Sequence, residues 1–133
     1  MKKIILLGVV ILFGGCVTPS TQMINNKFSE VQPSTPSVSG IWTISIGSSI
    51  STIKLDSDGN GILCDDTNGH VVFNKVKYAN NIIYIQNGMT LEVKLLNKDI
   101  LESRITLSAS NSNMVYKADN DLKSASLKCA KEL

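Results

Sequence analysis

The chain has 133 residues, which is room for one small domain. Hydrophobic residues make up 43% and charged residues 18%, a balance that excludes both a disordered polyelectrolyte and a polytopic membrane protein. The formal net charge of +2 includes Lys2 and Lys3; without that pair 11 basic residues face 11 acidic ones, and such neutrality excludes a general nucleic-acid binder, which needs clustered Lys and Arg.

Lys2 and Lys3 precede an apolar run from Ile4 to Phe13. The run is half as long as the roughly 20 residues a membrane-spanning helix needs, but it suits the core of a secretory signal, about 7–15 residues. Gly14 and Gly15 then lead into Cys16. The stretch Leu12-Phe13-Gly14-Gly15-Cys16 resembles the lipobox of bacterial lipoproteins, with Phe13 standing where Leu is usual. The resemblance implies that residues 1–15 are a removed signal peptide. It also implies that Cys16 opens the mature chain, carrying diacylglycerol and an N-acyl chain such as palmitate. Several acyl chains anchor a protein firmly, whereas one is marginal. Val17, where Asp would mark inner-membrane retention in such lipoproteins, implies the outer membrane. The alternative is an ordinary signal peptide whose cleavage site lies near a Cys.

Residues 16–40 contain all three prolines (Pro19, Pro33 and Pro36), many Ser and Thr, and no periodicity. Such a stretch buries too little apolar surface to offset its ordering entropy, so a flexible lipidated linker is expected. The competing reading is a short helix over Met23 to Val31.

Residues 41–133 read as the folded domain. Trp42, Ile44 and Ile46 alternate with Thr43 and Ser45, and Ile53 and Leu55 with Thr52 and Lys54. Ile62 and Cys64 are expected to face inward after a turn at Asp56-Ser57-Asp58-Gly59-Asn60. Val72, Val76 and Tyr78 form the next strand. Asn80-Asn81 turns the chain into Ile82 to Ile85, and Asn87-Gly88 is a strong hairpin signal. Met89, Leu91, Val93 and Leu95 alternate with Thr90, Glu92 and Lys94. After a turn at Asn97-Lys98-Asp99 come Leu101, Ile105 and Leu107, and Met114 to Lys117 is the last strand. The fold expected is therefore all-β: about eight short antiparallel strands in an up-and-down meander, closed into a small barrel or stacked as a sandwich. The inward set is mostly Ile, Leu and Val, so a filled core is expected rather than a large cavity. Trp42 is expected in that core, the alternative being a surface contact. Asp119 can cap a short C-terminal helix carrying Leu122, Ala125, Cys129, Ala130 and Leu133; an irregular tail is the other reading.

With Cys16 lipidated, Cys64 and Cys129 remain. In an oxidising compartment an even number of cysteines usually pairs, so a disulfide tying the tail to the third strand is expected; the alternative is two buried free thiols. Asp56-x-Asp58-x-Asn60-Gly61 matches the first half of an EF-hand calcium loop. Its twelfth position is Thr67 instead of Glu, and Asp, Asn and Gly are also turn formers, so a turn is favoured. Asp65, Asp66 and His70 are read as one solvated loop. His70 is the sole histidine, which makes a poor transition-metal site and leaves any Ser-His-Asp triad without a recognisable nucleophile motif. The chain is thus read as no enzyme, with no cofactor and no metal.

Ser108-Ala109-Ser110-Asn111 followed by Tyr116 is similar to a motif of periplasmic lysozyme-inhibitor lipoproteins, small lipidated β-barrels with a disulfide from an early strand to the C-terminal tail. Asn111 departs from the Gly of that motif, and the later Trp-x-Lys-Gly is missing. The resemblance implies a partner loop containing Ser108, Ser110 and Tyr116. Three functions stand side by side: a non-enzymatic envelope lipoprotein displaying a binding or structural surface, an inhibitor of a wall-degrading enzyme, and a lipocalin-like module for a small ligand or metal. The partners expected are the membrane, through the lipid, and an envelope protein.

Overall fold

The period-two pattern produces eight strands: β1 (Gly40–Ile46), β2 (Ser49–Leu55), β3 (Asn60–Thr67), β4 (His70–Ala79), β5 (Ile82–Ile85), β6 (Thr90–Leu96), β7 (Ile100–Ile105) and β8 (Met114–Ala118). The computed structural model describes residues 26–106 and 112–133. Each strand pairs antiparallel with the next, and β8 returns to β1 through Trp42↔Ala118 and Thr43↔Lys117. The meander is therefore a closed barrel, and the sandwich alternative falls away. Closure joins the two edge strands at Trp42 and Thr43. Tight turns make it possible. Asn80 and Asn81 both take left-handed backbone (φ 53° and 63°), as do Asn68 and Gly69 (φ 53° and 86°), the geometry of primed hairpin turns.

The two ends of the barrel differ. Near the β2–β3 and β6–β7 turns it is packed solid by Trp42, Ile53, Leu55, Val76, Tyr78, Ile83 and Leu101. Trp42, expected in the core, is 1% exposed, and its indole N–H donates to the Asn97 carbonyl at 3.2 Å. A Cβ on Gly40 would stand 3.4 Å from the Trp42 ring and 3.2 Å from Asn120 Oδ1, so glycine lets the chain pass over the ring. Residues 31–39 cross this end. The Ser34 N–H donates to the Tyr78 carbonyl at 2.8 Å, Pro36 is buried and Val38 packs on the core.

This strap corrects the linker expectation for residues 26–39. Asn26 donates its amide to the carbonyls of Ile85 and Met89, both at 2.9 Å. A single 3-10 turn, Phe28–Glu30, follows in place of the longer helix weighed for Met23 to Val31. Lys77 Nζ donates to the Phe28 carbonyl at 2.9 Å and sits 4.6 Å from the centre of its ring. The stretch lacks periodicity because backbone groups and one proline hold it, rather than an amphipathic face. The rest of the expected linker, residues 16–25, lies outside the described residues.

The strand β3 turns the opposite face inward from that expected. Leu63 and Asp65 point into the barrel, with Leu63 registered against Ile53, while Ile62 and Cys64 point outward. Ile62-Leu63-Cys64 is a run of three apolar residues, so alternation alone fits either face. Cys64 is nonetheless fully buried, because the C-terminal segment covers it. The disulfide Cys64–Cys129 joins them, with Cα atoms 5.9 Å apart. Closing a loop across 65 positions is worth about 4 kcal/mol in the chain-entropy view.

The covering segment ends in a short helix, α1 (Leu127–Glu132). Its cap is Ser126, whose Oγ accepts from the Cys129 N–H at 3.1 Å, and not Asp119. Asp119 is buried earlier, on the outer wall. It accepts from Thr43 Oγ1 at 2.8 Å and from the N–H groups of Ser124 and Ala125 at 2.9 Å each. On β6 a register shift between Val93 and Leu95 turns Leu95 outward, 45% exposed, and Leu96 packs on the core in its place.

Candidate functional site

Opposite the strap, the described residues leave the barrel open. The mouth ends of seven strands surround a cavity of about 280 Å³. Ile46 comes from β1, Ser49 and Ser51 from β2, Leu63 and Asp65 from β3, Ile85 from β5, Leu91 from β6, Ile105 from β7, and Met114 and Tyr116 from β8. Asn87 and Met89 of the β5–β6 turn complete the rim. A filled core was expected throughout; it is present only in the Trp42 half. The cause lies largely in β2, whose inward face runs Ser49, Ser51, Ile53, Leu55 from mouth to strap. Two serines occupy positions where large aliphatics would have filled the space. Met89 and Met114, unbranched and adaptable, line the opening.

The wall is apolar with one polar spot. The Tyr116 hydroxyl lies 3.3 Å from Ser51 Oγ, and among the described residues Asp65 is the only charged one lining the cavity. Burial pushes the Tyr116 phenol above its usual range, and the nearby Asp65 carboxylate pushes the same way, against the hydrogen bond from Ser51. The phenol therefore stays protonated and can donate at any physiological pH. One layer below, Ser103 is fully buried, and among the described residues its Oγ has no hydrogen-bond partner. It shares the inward face of β7 with Leu101 and Ile105 and is registered against Met114. Apolar walls with a few convergent polar groups are the common design of small-ligand sites, which typically span about 300–1,000 Å³. This cavity lies just below that range.

Residues 25–133 match the family described as "Bacterial lipocalin LPS transport optimiser YedD". The chain belongs to the YedD family. The match takes in the strap together with the whole barrel. No curated protein and no solved structure matches the chain.

In this YedD-family barrel the residues singled out from the sequence are placed as follows. Cys16, Ser108 and Ser110 lie outside the described residues. Tyr116 is 3% exposed and turned into the barrel, because Met114, Tyr116 and Ala118 share the inward face of β8; it serves the cavity and not an outer contact loop. Cys64 and Cys129 are joined, on the outer wall. Asp56 to Asn60 form the β2–β3 turn. Gly59 N–H donates to the Asp56 carbonyl at 3.0 Å, and Asp58 Oδ1 accepts from the Asn60 N–H at 2.9 Å, a bond that holds its carboxyl below the usual range. Asp65, Asp66 and His70 do not share a loop. Asp65 enters the cavity, Asp66 turns outward and accepts from the Gly69 N–H at 2.8 Å, and His70 opens β4, exposed. Among the described residues no group of three His, Cys, Asp or Glu could hold a metal ion.

A larger depression, about 470 Å³, lies on the outer wall between Phe28 and the lysines Lys54, Lys75 and Lys77. It is a packing seam. Lys77 is engaged by Phe28, and Lys54 Nζ donates to the Leu133 carbonyl at 3.3 Å. The mouth, by contrast, was missed in the sequence. Its one legible signal is Ser49-x-Ser51 on an inward face otherwise built of Ile and Leu.

Proposed function

We propose that this chain is a non-enzymatic, lipid-anchored protein of the bacterial cell envelope that takes a small amphiphilic ligand into the mouth of its barrel. The observation that carries this reading is the mouth cavity itself, apolar on its walls and polar at Ser51, Asp65 and Tyr116. An eight-stranded barrel is about the size that encloses one small ligand. Apolar walls favour an acyl chain or a ring system. The Tyr116 hydroxyl offers a donor, and the Asp65 carboxylate offers an acceptor for a hydroxyl, an amide N–H or an ammonium. An anionic group would meet Asp65 with no cation beside it among the described lining residues, so a carboxylate or phosphate belongs outside the cavity. The family's description as a lipocalin and a transport optimiser for LPS fits a ligand derived from lipid. The anchor is Cys16, on the lipobox resemblance, and Val17 favours the outer membrane. The reading as an inhibitor of a wall enzyme is weakened by the inward placement of Tyr116.

The test is titration of the oxidised protein with N-phenyl-1-naphthylamine, an apolar dye that brightens in dry sites. Saturable binding of one dye per chain is expected. Ser51→Leu should abolish it by restoring a large aliphatic to the inward face of β2. Dye binding that does not saturate, or that Ser51→Leu leaves unchanged in a folded protein, would refute the mouth as a site. Fatty-acid labelling of cells carrying Cys16→Ala tests the anchor separately; loss of label is expected.

A further inference from the structure

We infer that the open end of the barrel is a bilayer-docking surface, so that the cavity opens toward the membrane that holds the chain. The inference rests on the lipid-anchor reading of Cys16.

The first observation is where the described chain starts. Asn26 clamps the carbonyls of Ile85 and Met89, which flank the β5–β6 turn at the rim of the mouth. From Cys16 to Asn26 is ten peptide steps, a reach of at most about 35 Å. If the mouth pointed away from the bilayer, this segment would have to run the length of the barrel before reaching the lipid. A seven-residue strand such as β1 is roughly 20 Å long, so most of the reach would be consumed. With the mouth toward the bilayer the whole segment remains for the connection.

The second observation is independent of the tether. Among the described residues, three of the six exposed large apolar side chains, Ile46, Val72 and Leu127, lie in the mouth half of the barrel. Ile46 closes β1 and is 53% exposed. Val72, the third residue of β4, is registered against Asp65, which lines the cavity, while Phe73 and Val115 lie at mid-wall, registered against Cys64 and Glu102. Leu127, 84% exposed, begins α1, and its neighbour Lys128 donates to the Gly69 carbonyl in the β3–β4 turn at this end. Leu95, registered against the same Glu102, lies toward the other end. The strap end carries polar turns instead, built on Asp56, Asp58, Lys98 and Asp99. Exposed apolar side chains beside the opening, at Ile46, Val72 and Leu127, suit contact with acyl chains.

The orientation is read by placing an environment-sensitive nitrobenzoxadiazole label at Ser48→Cys, in the β1–β2 turn beside Ile46, or at Lys98→Cys, in the opposite turn. The full lipidated protein is reconstituted in vesicles of phosphatidylethanolamine and phosphatidylglycerol, with and without brominated acyl chains. Emission at position 48 should shift to the blue and be quenched by brominated lipid, while emission at position 98 is unchanged. Leu127→Glu, at an exposed position that the fold does not need, should reduce the quenching at 48. Quenching at 98, quenching at neither, or a blue shift at 48 without lipid quenching (a protein partner or a second copy) would overturn the inference. The intact mass of the same sample reports the anchor. An unmodified Cys16 defeats the anchor reading and this inference with it. An anchored chain with no quenching at 48 leaves the anchor standing and defeats only the orientation.

Discussion

Replacing Trp42 with Ala should cost the domain about 4 kcal/mol and leave the mouth able to bind. Trp42 is 1% exposed and belongs to the core cluster with Leu55 and Leu101, in the half of the barrel closed by the strap. Truncating a buried Phe or Trp to Ala typically costs about 3–5 kcal/mol. The indole bond to the Asn97 carbonyl contributes about 1 kcal/mol at most, since Asn97 is on an exposed turn and water can replace the donor. Packing therefore dominates, and Trp42→Phe, which keeps most of the volume, should cost only about 1–2 kcal/mol. Against a total stability of about 5–15 kcal/mol, the Ala variant loses a large share. Its melting temperature should fall by roughly 15 °C or more. The assay is urea unfolding of the oxidised protein followed by far-ultraviolet circular dichroism, with equal m-values required for comparison. Wild-type Trp emission should be blue-shifted and poorly quenched by acrylamide. A loss under about 1 kcal/mol for the Ala variant, or an equal loss for Phe, would refute the packing argument. Loss of dye binding in a folded Trp42→Ala protein would show that the two ends of the barrel are not separate.

Three further outcomes follow from the same coordinates. Changing Cys64 and Cys129 together to Ser should cost about 4 kcal/mol in the same urea assay, and α1, six residues long, should lose its hydrogen-exchange protection, because so short a helix does not persist alone. Asp119→Ala leaves the Thr43 hydroxyl and the N–H groups of Ser124 and Ala125 without their acceptor and should cost about 3–4 kcal/mol, with Asp119→Asn recovering part of it by unfolding measurements. The Tyr116 phenol titrates above 10.0, so from that pH upward the native state holds a proton that the unfolded chain has released, and stability falls as pH rises through the window. Tyr116→Phe should flatten that alkaline decline and remove a phenol signal from the alkaline titration at 295 nm; an unchanged titration would refute the burial argument.

Local chemistry made much of the barrel legible. Strand and turn positions follow from alternation and from asparagine and glycine at left-handed positions, both of which depend on neighbours in the chain. The pairing of Cys64 with Cys129 was legible from counting, once Cys16 is assigned to the lipid. The strap was not legible, because Ser34 meets Tyr78, and Asn26 meets Ile85 and Met89, through bonds between positions far apart in sequence. In the sequence Asp65 reads as part of a solvated loop and Tyr116 as part of a partner loop, and the fold places both in one cavity.

By itself, then, the order of residues determined that eight short strands would form, where they would turn, and that Trp42 would be covered. Those outcomes rest on backbone preference and on side chains two positions apart. The tertiary structure alone decided which face of β3 looks inward. With Ile62, Leu63 and Cys64 all apolar, that choice depends on Leu63 meeting Ile53 and on Cys64 meeting Cys129 across the outer wall. It also decided that one end is packed and the other open. A cavity is a volume left over after all eight strands have contributed their side chains. Ser49 and Ser51 create it only because closure sets them opposite Leu91, Ile105 and Tyr116 rather than against a bulkier wall.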